Sequence, residues 1–434
     1  MAKIITVQKG TKDILPTEMD SWHFIEDAAN RVFSRAGFKE IRTPIFEATE
    51  LFARGVGDTT DIVNKEMYTF EKSERSLTLR PENTAGVVRS YIENGMHRLP
   101  APVKLWYKGP MFRYERPQAG RQRQFHQVGM EMFGIAQPTA DVEAISLAVS
   151  YLNEIGLNHL DVEINSLGCP TCREEYKTKL KAVLKPYLQD LCPDCQKRYE
   201  KNPLRLLDCK VEDCKAIYEK PEVKEVITSE FICPECHDHF EAVKKYLDVL
   251  GIKYSVNKLL VRGLDYYNRT VFEIKSNNLG SQNAVCGGGR YDGLIEQLSG
   301  KHVPALGFAM GLERVILTME NQGCEFMENQ NCELYIAPMG DTAKDKAVEL
   351  ASNLRTEGFL IEYDIMDRGI KAQMKYANKL NAKFVLVIGD NEIQSNSAKL
   401  KFMTTGEEFP ITLDDSFYEK FSSMYMANML SDED

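Results

Sequence analysis

The 434-residue sequence has no apolar run approaching the ~18 residues that suggest a membrane-spanning helix. Its first residues, MAKIITVQKGTKDILP, lack the apolar core of a secretory signal, so a cytoplasmic protein without a membrane segment is expected. Neither GxGxxG nor a Walker sequence occurs, which sets aside ordinary dinucleotide and P-loop folds. No Ser/His/Asp or Cys/His arrangement stands out, so covalent nucleophilic catalysis gains no support. Excess positive charge is missing too. The formal net charge is −10, which argues against a general nucleic-acid coat while leaving room for local basic patches that hold a folded RNA. What is present is a globular composition, 43% apolar and 27% charged, in a chain long enough for two or three domains.

Cysteine is abundant. Eight of the eleven cysteines form four close pairs between 169 and 236. In a reducing compartment such pairs suggest metal ligands before disulfides. In chain order, Cys169 and Cys172 with Cys192 and Cys195 make one set, separated by nineteen residues. Cys209 and Cys214 with Cys233 and Cys236 make a second, less regular set. The first spacing suits a four-thiolate zinc site, although which pairs share a metal stays open. His237 and His239 are spare candidates. Reduced thiols on a helical insertion are the plainer alternative.

The most informative stretch is 104–134. Met111, Arg113 and Glu115 alternate with Phe112 and Tyr114. Further on, Gln127, Gly129, Glu131 and Phe133 share one face, and Val128, Met130 and Met132 the other. Period-two patterning predicts two antiparallel strands joined by a long loop. A sheet face bearing Arg113, Gln127 and Glu131 suits either an internal ion pair or the floor of a polar pocket. The loop carries Gln118, Arg121 and Arg123, whose guanidinium forks suit phosphates and base edges.

FRYERPQAGRQRQFHQVGMEMFG resembles motif 2 of the class II aminoacyl-tRNA synthetases, in its histidyl-tRNA synthetase form. RGLDYYNRT at 262–270 is characteristic of the same family. Gly307, Gly311 and Arg314, ahead of an apolar helix, resemble motif 3, and Pro44 resembles the motif 1 proline at the dimer interface. The resemblance covers almost the whole chain. It implies an α+β catalytic domain with a mainly antiparallel sheet of class II synthetase type, formed by 1–168 and 249–325. A helical Cys-rich insertion would fill 169–248, and an anticodon-binding α/β domain 331–434. In that last domain, apolar strands alternate with amphipathic helices, one of them bearing Arg368, Lys371, Lys375 and Lys379.

The implied activity is ATP-dependent attachment of L-histidine to tRNA(His) by a homodimer, with Mg²⁺ beside the ATP and structural Zn²⁺ in the insertion as an option. The implied catalytic cations are Arg113 and Arg262. Glu82, Thr84, Gln127, Glu131, Arg262, Tyr266, Tyr267 and Tyr291 would hold histidine. Arg113, Glu115 and Arg314 would hold ATP, and Gln118, Arg121 and Arg123 the tRNA acceptor end. Locally, Glu82 also reads as a first-turn acid on a helix dipole, and the tyrosines as packing. Two rivals remain: the regulatory paralogue that partners ATP phosphoribosyltransferase, and a zinc-dependent RNA-binding module without catalysis.

Overall fold

The alternating residues of 103–133 form the middle of a large sheet in the computed structural model, which describes residues 4–57, 60–229, 231–276, 283–324, 326 and 332–429. The chain divides into two units, Met1–Met327 and Glu328–Asp434. In the first unit the strands are β1 (Lys39–Glu40), β2 (Phe46–Ala48), β3 (Tyr68–Lys72), β4 (Arg75–Leu79), β5 (Val103–Phe112), β6 (Gln124–Phe133), β7 (Leu160–Ser166), β8 (Ser255–Val256), β9 (Asn268–Ser276), β10 (Ala284–Arg290) and β11 (Ala305–Gly311).

Eight of these make one sheet in the order β1-β5-β6-β11-β10-β9-β7-β8. The two-residue edge strands pair parallel, and every inner pair is antiparallel. β2, β4 and β3 form a separate small sheet. Pro44 lies between β1 and β2, where no ladder amide is lost.

The β6 alternation separates two environments. Val128, Met130 and Met132 enter a core covered by the helices Met19–Arg35, Pro138–Glu154, Pro234–Val249 and Leu312–Gln322. Phe133 enters a second cluster on the opposite face, with Tyr107, Tyr266, Tyr267 and Tyr291. On that opposite face the chain uses small residues. The cross-strand row from β5 to β9 reads Tyr107, Gly129, Ala309, Gly287 and Glu273. The neighbouring row contains Glu131 opposite Gly307. A Cβ at Gly307 would stand 1.8 Å from Glu131 Oε2 and 2.4 Å from the Met130 carbonyl. One at Gly287 would stand 2.1 Å from the Arg262 guanidinium. These glycines are the space that the charged side chains occupy.

Local details depart from expectation in several places. Thr17, a residue type favoured at N-caps and set just ahead of the amphipathic stretch 18–36, lies instead inside a 3₁₀ turn Pro16–Glu18, and Glu18 is the N-cap. The sequence reads as a hairpin of 65–70 with 76–80, but its first strand begins at Tyr68, because Ile62–Glu66 coils into a π-type turn. Arg113 lies just beyond the end of β5 rather than within it. Among the described residues the insertion contains five α-helices, of which Pro234–Val249 buries Phe240, Val243 and Leu247 in the core of the large sheet. The polar stretch 320–331 reads in sequence as a linker, and its residues 325 and 327–331 lie outside the described residues.

The second unit contains β12 (Leu334–Pro338), β13 (Ile361–Tyr363), β14 (Phe384–Ile388), β15 (Ser397–Phe402) and β16 (Glu408–Thr412), in the order β13-β12-β14-β15-β16. The first three are parallel and the last two antiparallel, as near-continuous apolar strands followed by a hairpin dictate.

Replacing Gly307 with alanine forces a methyl group into Glu131 and the Met130 backbone. A loss of about 1–3 kcal/mol is expected, read as a lowered denaturation midpoint of the first unit.

Candidate active site

A cavity of about 1200 Å³ opens on the small-residue face of the large sheet. Glu82, Thr84, Arg113, Glu115, Arg121, Gln127, Arg262, Tyr266, Tyr267 and Arg314 all line it. Residues up to 232 positions apart in the chain therefore meet at one surface, from Glu82 to Arg314.

One end of the cavity is cationic. Arg113 donates from Nε to the Pro81 carbonyl at 2.8 Å and lies 5.3 Å from the Phe125 ring centroid. Arg121 pairs with Glu115 at 2.9 Å. Arg314 donates to the carbonyls of Ala284 at 2.8 Å and Gly120 at 3.2 Å. Burial first, and then the adjacent Arg121, push the Arg314 guanidinium below its usual value. Arg262, held by Glu273, keeps a buried Nε without a partner. Arg113 and Arg314 are held on neutral carbonyls, although Glu115 also lies 3.6 Å from Arg113, and guanidinium groups so crowded favour an anionic ligand between them. Glu66, which sequence reasoning missed, joins them. Burial and the neighbouring Glu115 raise its carboxyl.

The other end is a slot walled by tyrosines. Tyr266 lies tilted against Tyr267 with centroids 4.6 Å apart and meets Tyr291 edge-on at 5.5 Å. Gln127, which also lines the cavity, has a buried Oε1 with no partner of its own. Glu82 accepts from the amides of Thr84 at 2.7 Å and Ala85 at 3.0 Å, so it caps the helix Thr84–Glu93 and lines the cavity at once. Burial raises its carboxyl, and those amides oppose the rise.

Four expected site residues lie elsewhere. Glu131, expected to face a ligand, is fully buried one layer beneath the surface. It accepts from the Thr84 hydroxyl at 2.7 Å, the Tyr107 hydroxyl at 3.4 Å and the Tyr291 hydroxyl. Burial pushes its carboxyl up to about 8. Tyr291 is likewise internal. Arg123 packs 3.8 Å over the Tyr114 ring and donates to the carbonyls of Glu115 and Lys9. Gln118 forms an isolated bridge with Arg121 at the loop tip, off the cavity wall. Tyr107 was not foreseen either; a tyrosine opposite a glycine across β5 and β6 was its signal.

The cysteines gather in two groups, but not in chain order. Cys169, Cys172, Cys233 and Cys236 come together, and so do Cys192, Cys195, Cys209 and Cys214. Neither histidine joins them. His239 bonds Asp141 at 3.2 Å inside a buried network with Arg290, and His237 lies beside Asp238 and Glu241.

A family model described as histidyl-tRNA synthetase matches residues 10–171 and 220–315, more than half of the chain. The chain belongs to the histidyl-tRNA synthetase family. The unmatched interval falls within the cysteine-bearing insertion. A second model, an anticodon binding domain, matches residues 333–420. A histidine–tRNA ligase from Acetivibrio thermocellus is 53% identical over 407 residues, spanning 94% of this chain and 97% of that one. One from Clostridium perfringens is 50% identical over 413 residues with the same coverage. The crystal structure of apo S. aureus histidyl-tRNA synthetase superposes with a TM-score of 0.81 at 41% identity, covering 96% of this chain and all of that one. A Bacillus halodurans structure titled as an ATP phosphoribosyltransferase regulatory subunit/histidyl-tRNA synthetase reaches 0.63 at 20% identity over 89% of this chain and 99% of that one, a likeness of fold alone.

The raised Glu131 carboxyl has a consequence for stability. Its value in the folded chain lies above the ordinary 4.5, so the stability it permits is complete below 4.5 and is lost as pH rises to about 8. The unliganded protein should lose up to about 1.4 kcal/mol per pH unit across that window. Glu131→Gln should flatten the profile in denaturant titrations at pH 5 and 8, and an equally steep variant would place the dependence on another group.

Proposed function

We propose that this chain activates L-histidine with ATP and transfers it to the 3′ end of tRNA(His). The observation that carries this reading is the shared cavity: four arginines beside a tyrosine-walled slot with an unpaired glutamine oxygen. In the first step a histidine carboxylate oxygen attacks the α-phosphorus, the bond to the bridging oxygen breaks, and pyrophosphate leaves. Two anions must meet, so cations are needed where charge develops. Arg113 and Arg262 serve the reacting carboxylate and α-phosphate. Arg314 and Glu115 help to hold the rest of ATP. In the second step a terminal ribose hydroxyl of the tRNA attacks the adenylate carbonyl, and AMP leaves.

In the slot, Glu82 and Gln127 receive the substrate ammonium group, consistent with the unpaired Gln127 oxygen. Tyr266 and Tyr267 flank the imidazole ring. Glu131 acts from beneath, orienting the Thr84 and Tyr107 hydroxyls, while Tyr291 steadies Glu131. A site that must pair both ring nitrogens rejects side chains that leave its own polar groups unpaired. Mg²⁺ suits the carboxylate pair Glu66 and Glu115, whose mutual repulsion a hard cation relieves, and there it would offset phosphate charge. The metal that the cysteine clusters invite is structural and separate from this chemistry.

Arg121 and Gln118 at the loop tip are positioned for the tRNA acceptor end, whereas Arg123 braces the loop against Lys9. In the second unit Lys371, Lys375 and Lys379 are exposed along one helix, Ile370–Lys379, available to RNA phosphates. Arg368 is held by Asp364 at 3.1 Å and lies over the Tyr376 ring. We assign 1–168 and 249–325 to the catalytic core, 169–248 to the insertion and 331–434 to anticodon binding. A homodimer through the Pro44 region fits the half-exposed Ile45 and Phe46 beside it. No helix among the described residues is long and apolar enough to cross a membrane.

Histidine-dependent ATP–pyrophosphate exchange tests the reading. Arg262→Ala should fold normally and lose about 10²–10³-fold in exchange. Glu131→Ala should lose histidine activation or its discrimination against other amino acids. Wild-type-like exchange by Glu131→Ala, or an Arg262→Ala defect confined to tRNA affinity, overturns the assigned roles. No exchange by the wild-type chain would favour a regulatory or RNA-binding protein built on the same fold.

A further inference from the structure

We infer that the insertion is a two-zinc module whose four-thiolate sites are nested along the chain, one inside the other. The outer site is Cys169, Cys172, Cys233 and Cys236; the inner is Cys192, Cys195, Cys209 and Cys214. Within each, all four sulfurs lie within 4.8 Å of one another, and all eight are free thiols. A tetrahedral zinc with Zn–S bonds of about 2.3 Å places its sulfurs about 3.8 Å apart. The Cys192 and Cys209 sulfurs are 3.8 Å apart, and those of Cys169 and Cys172 are 3.5 Å apart. A disulfide needs about 2.05 Å. An iron–sulfur cluster would spread its thiolates around several inorganic atoms, which sulfurs this close do not accommodate. A compact tetrahedron of four thiolates is the ligand geometry of a structural zinc site.

The local structure prepares the sulfurs for a cation. Cys169, Cys192 and Cys233 are each the N-cap of a helix that begins Pro170, Pro193 or Pro234. Proline at the first helical position gives up an amide that has no helical partner, and the positive helix end favours thiolate. Backbone amides reach the ligands as well: Cys233 N–H to Cys172 Sγ at 3.1 Å, and Cys192 N–H to Cys214 Sγ at 3.3 Å. Such bonds orient metal-bound thiolates. Gly168, at φ +68°, leaves out a Cβ that would stand 2.5 Å from the Cys172 Cβ.

Nesting gives each site a different task. The outer site ties the point where the chain leaves the core to the point where it returns, closing a loop of sixty residues, 173–232. The inner site lies within that loop, against a small apolar cluster that includes Leu180, Leu191, Leu206 and Val223. A core of this size gains most from such staples. Cys192 and Cys209 also line the large cavity, and Arg198 and Arg205 from the same segment bind Asp61 at 2.9 and 3.3 Å. The inner zinc therefore holds a wall of the candidate active site. That last role rests on the adenylation reading; the metal assignment does not.

Elemental analysis of the full chain purified without chelator should find two zinc ions per chain. Cys172→Ser/Cys236→Ser removes two ligands of one nested site and should retain one zinc. Cys172→Ser/Cys195→Ser removes one ligand from each and should retain none. The reverse result would establish pairing in chain order and overturn the nesting. Cobalt(II)-loaded wild-type protein, which needs no variant to fold, should show thiolate-to-cobalt charge transfer at two equivalents. Less than one zinc per chain with no such band overturns the sites themselves. Stoichiometric iron in place of zinc overturns the metal. Each reading is independent of pyrophosphate exchange.

Discussion

Guanidinium groups repel one another, and this fold nonetheless holds Arg113, Arg121, Arg262 and Arg314 around one cavity. It does so from three separate stretches of chain, with Arg113 and Arg314 anchored on backbone carbonyls. Anchoring on carbonyls fixes position without cancelling charge. An anion entering the cavity meets cations already in place, which is the condition for stabilising charge that develops during a reaction. The row of small residues across the sheet is the structural counterpart. Gly129, Ala309 and Gly287 lower the floor so that Arg262 and Tyr107 can lie against the backbone.

The polar network under the slot follows the same logic. A carboxyl as deeply buried as Glu131 is costly unless its oxygens are bonded, and three hydroxyls supply the bonds. Its position beneath the surface makes it a determinant of hydroxyl orientation in the reading adopted here. Under the proposed function, specificity would depend on a layer that a list of surface residues would omit.

The insertion is fastened to the catalytic core by charge. Asp61 takes Arg198 and Arg205, and Asp265 accepts from Asn202 at 2.7 Å. Asp265 belongs to the RGLDYYNRT stretch, so the segment that supplies Arg262 and the tyrosines also receives the insertion. The helix Pro234–Val249 continues from the outer cysteine pair into the core of the sheet.

By itself the sequence determined what periodicity and local chemistry can carry. Strands β5 and β6, the parallel-centred second unit and the helix at Leu312 were legible because side-chain alternation and apolar spacing are local properties. The family was legible because its motifs are long and specific. The cationic lining of the cavity was legible as a list, since Arg113, Arg262 and Arg314 each sit in such a motif. Tertiary structure alone decided depth and partnership. It put Glu131 below the surface, tied Arg123 to Tyr114 and Lys9, brought Tyr107 and Glu66 to the cavity, and joined the cysteines as outer with outer and inner with inner. Those outcomes depend on which distant segments meet, and distance along a chain says little about distance in space once the chain returns on itself.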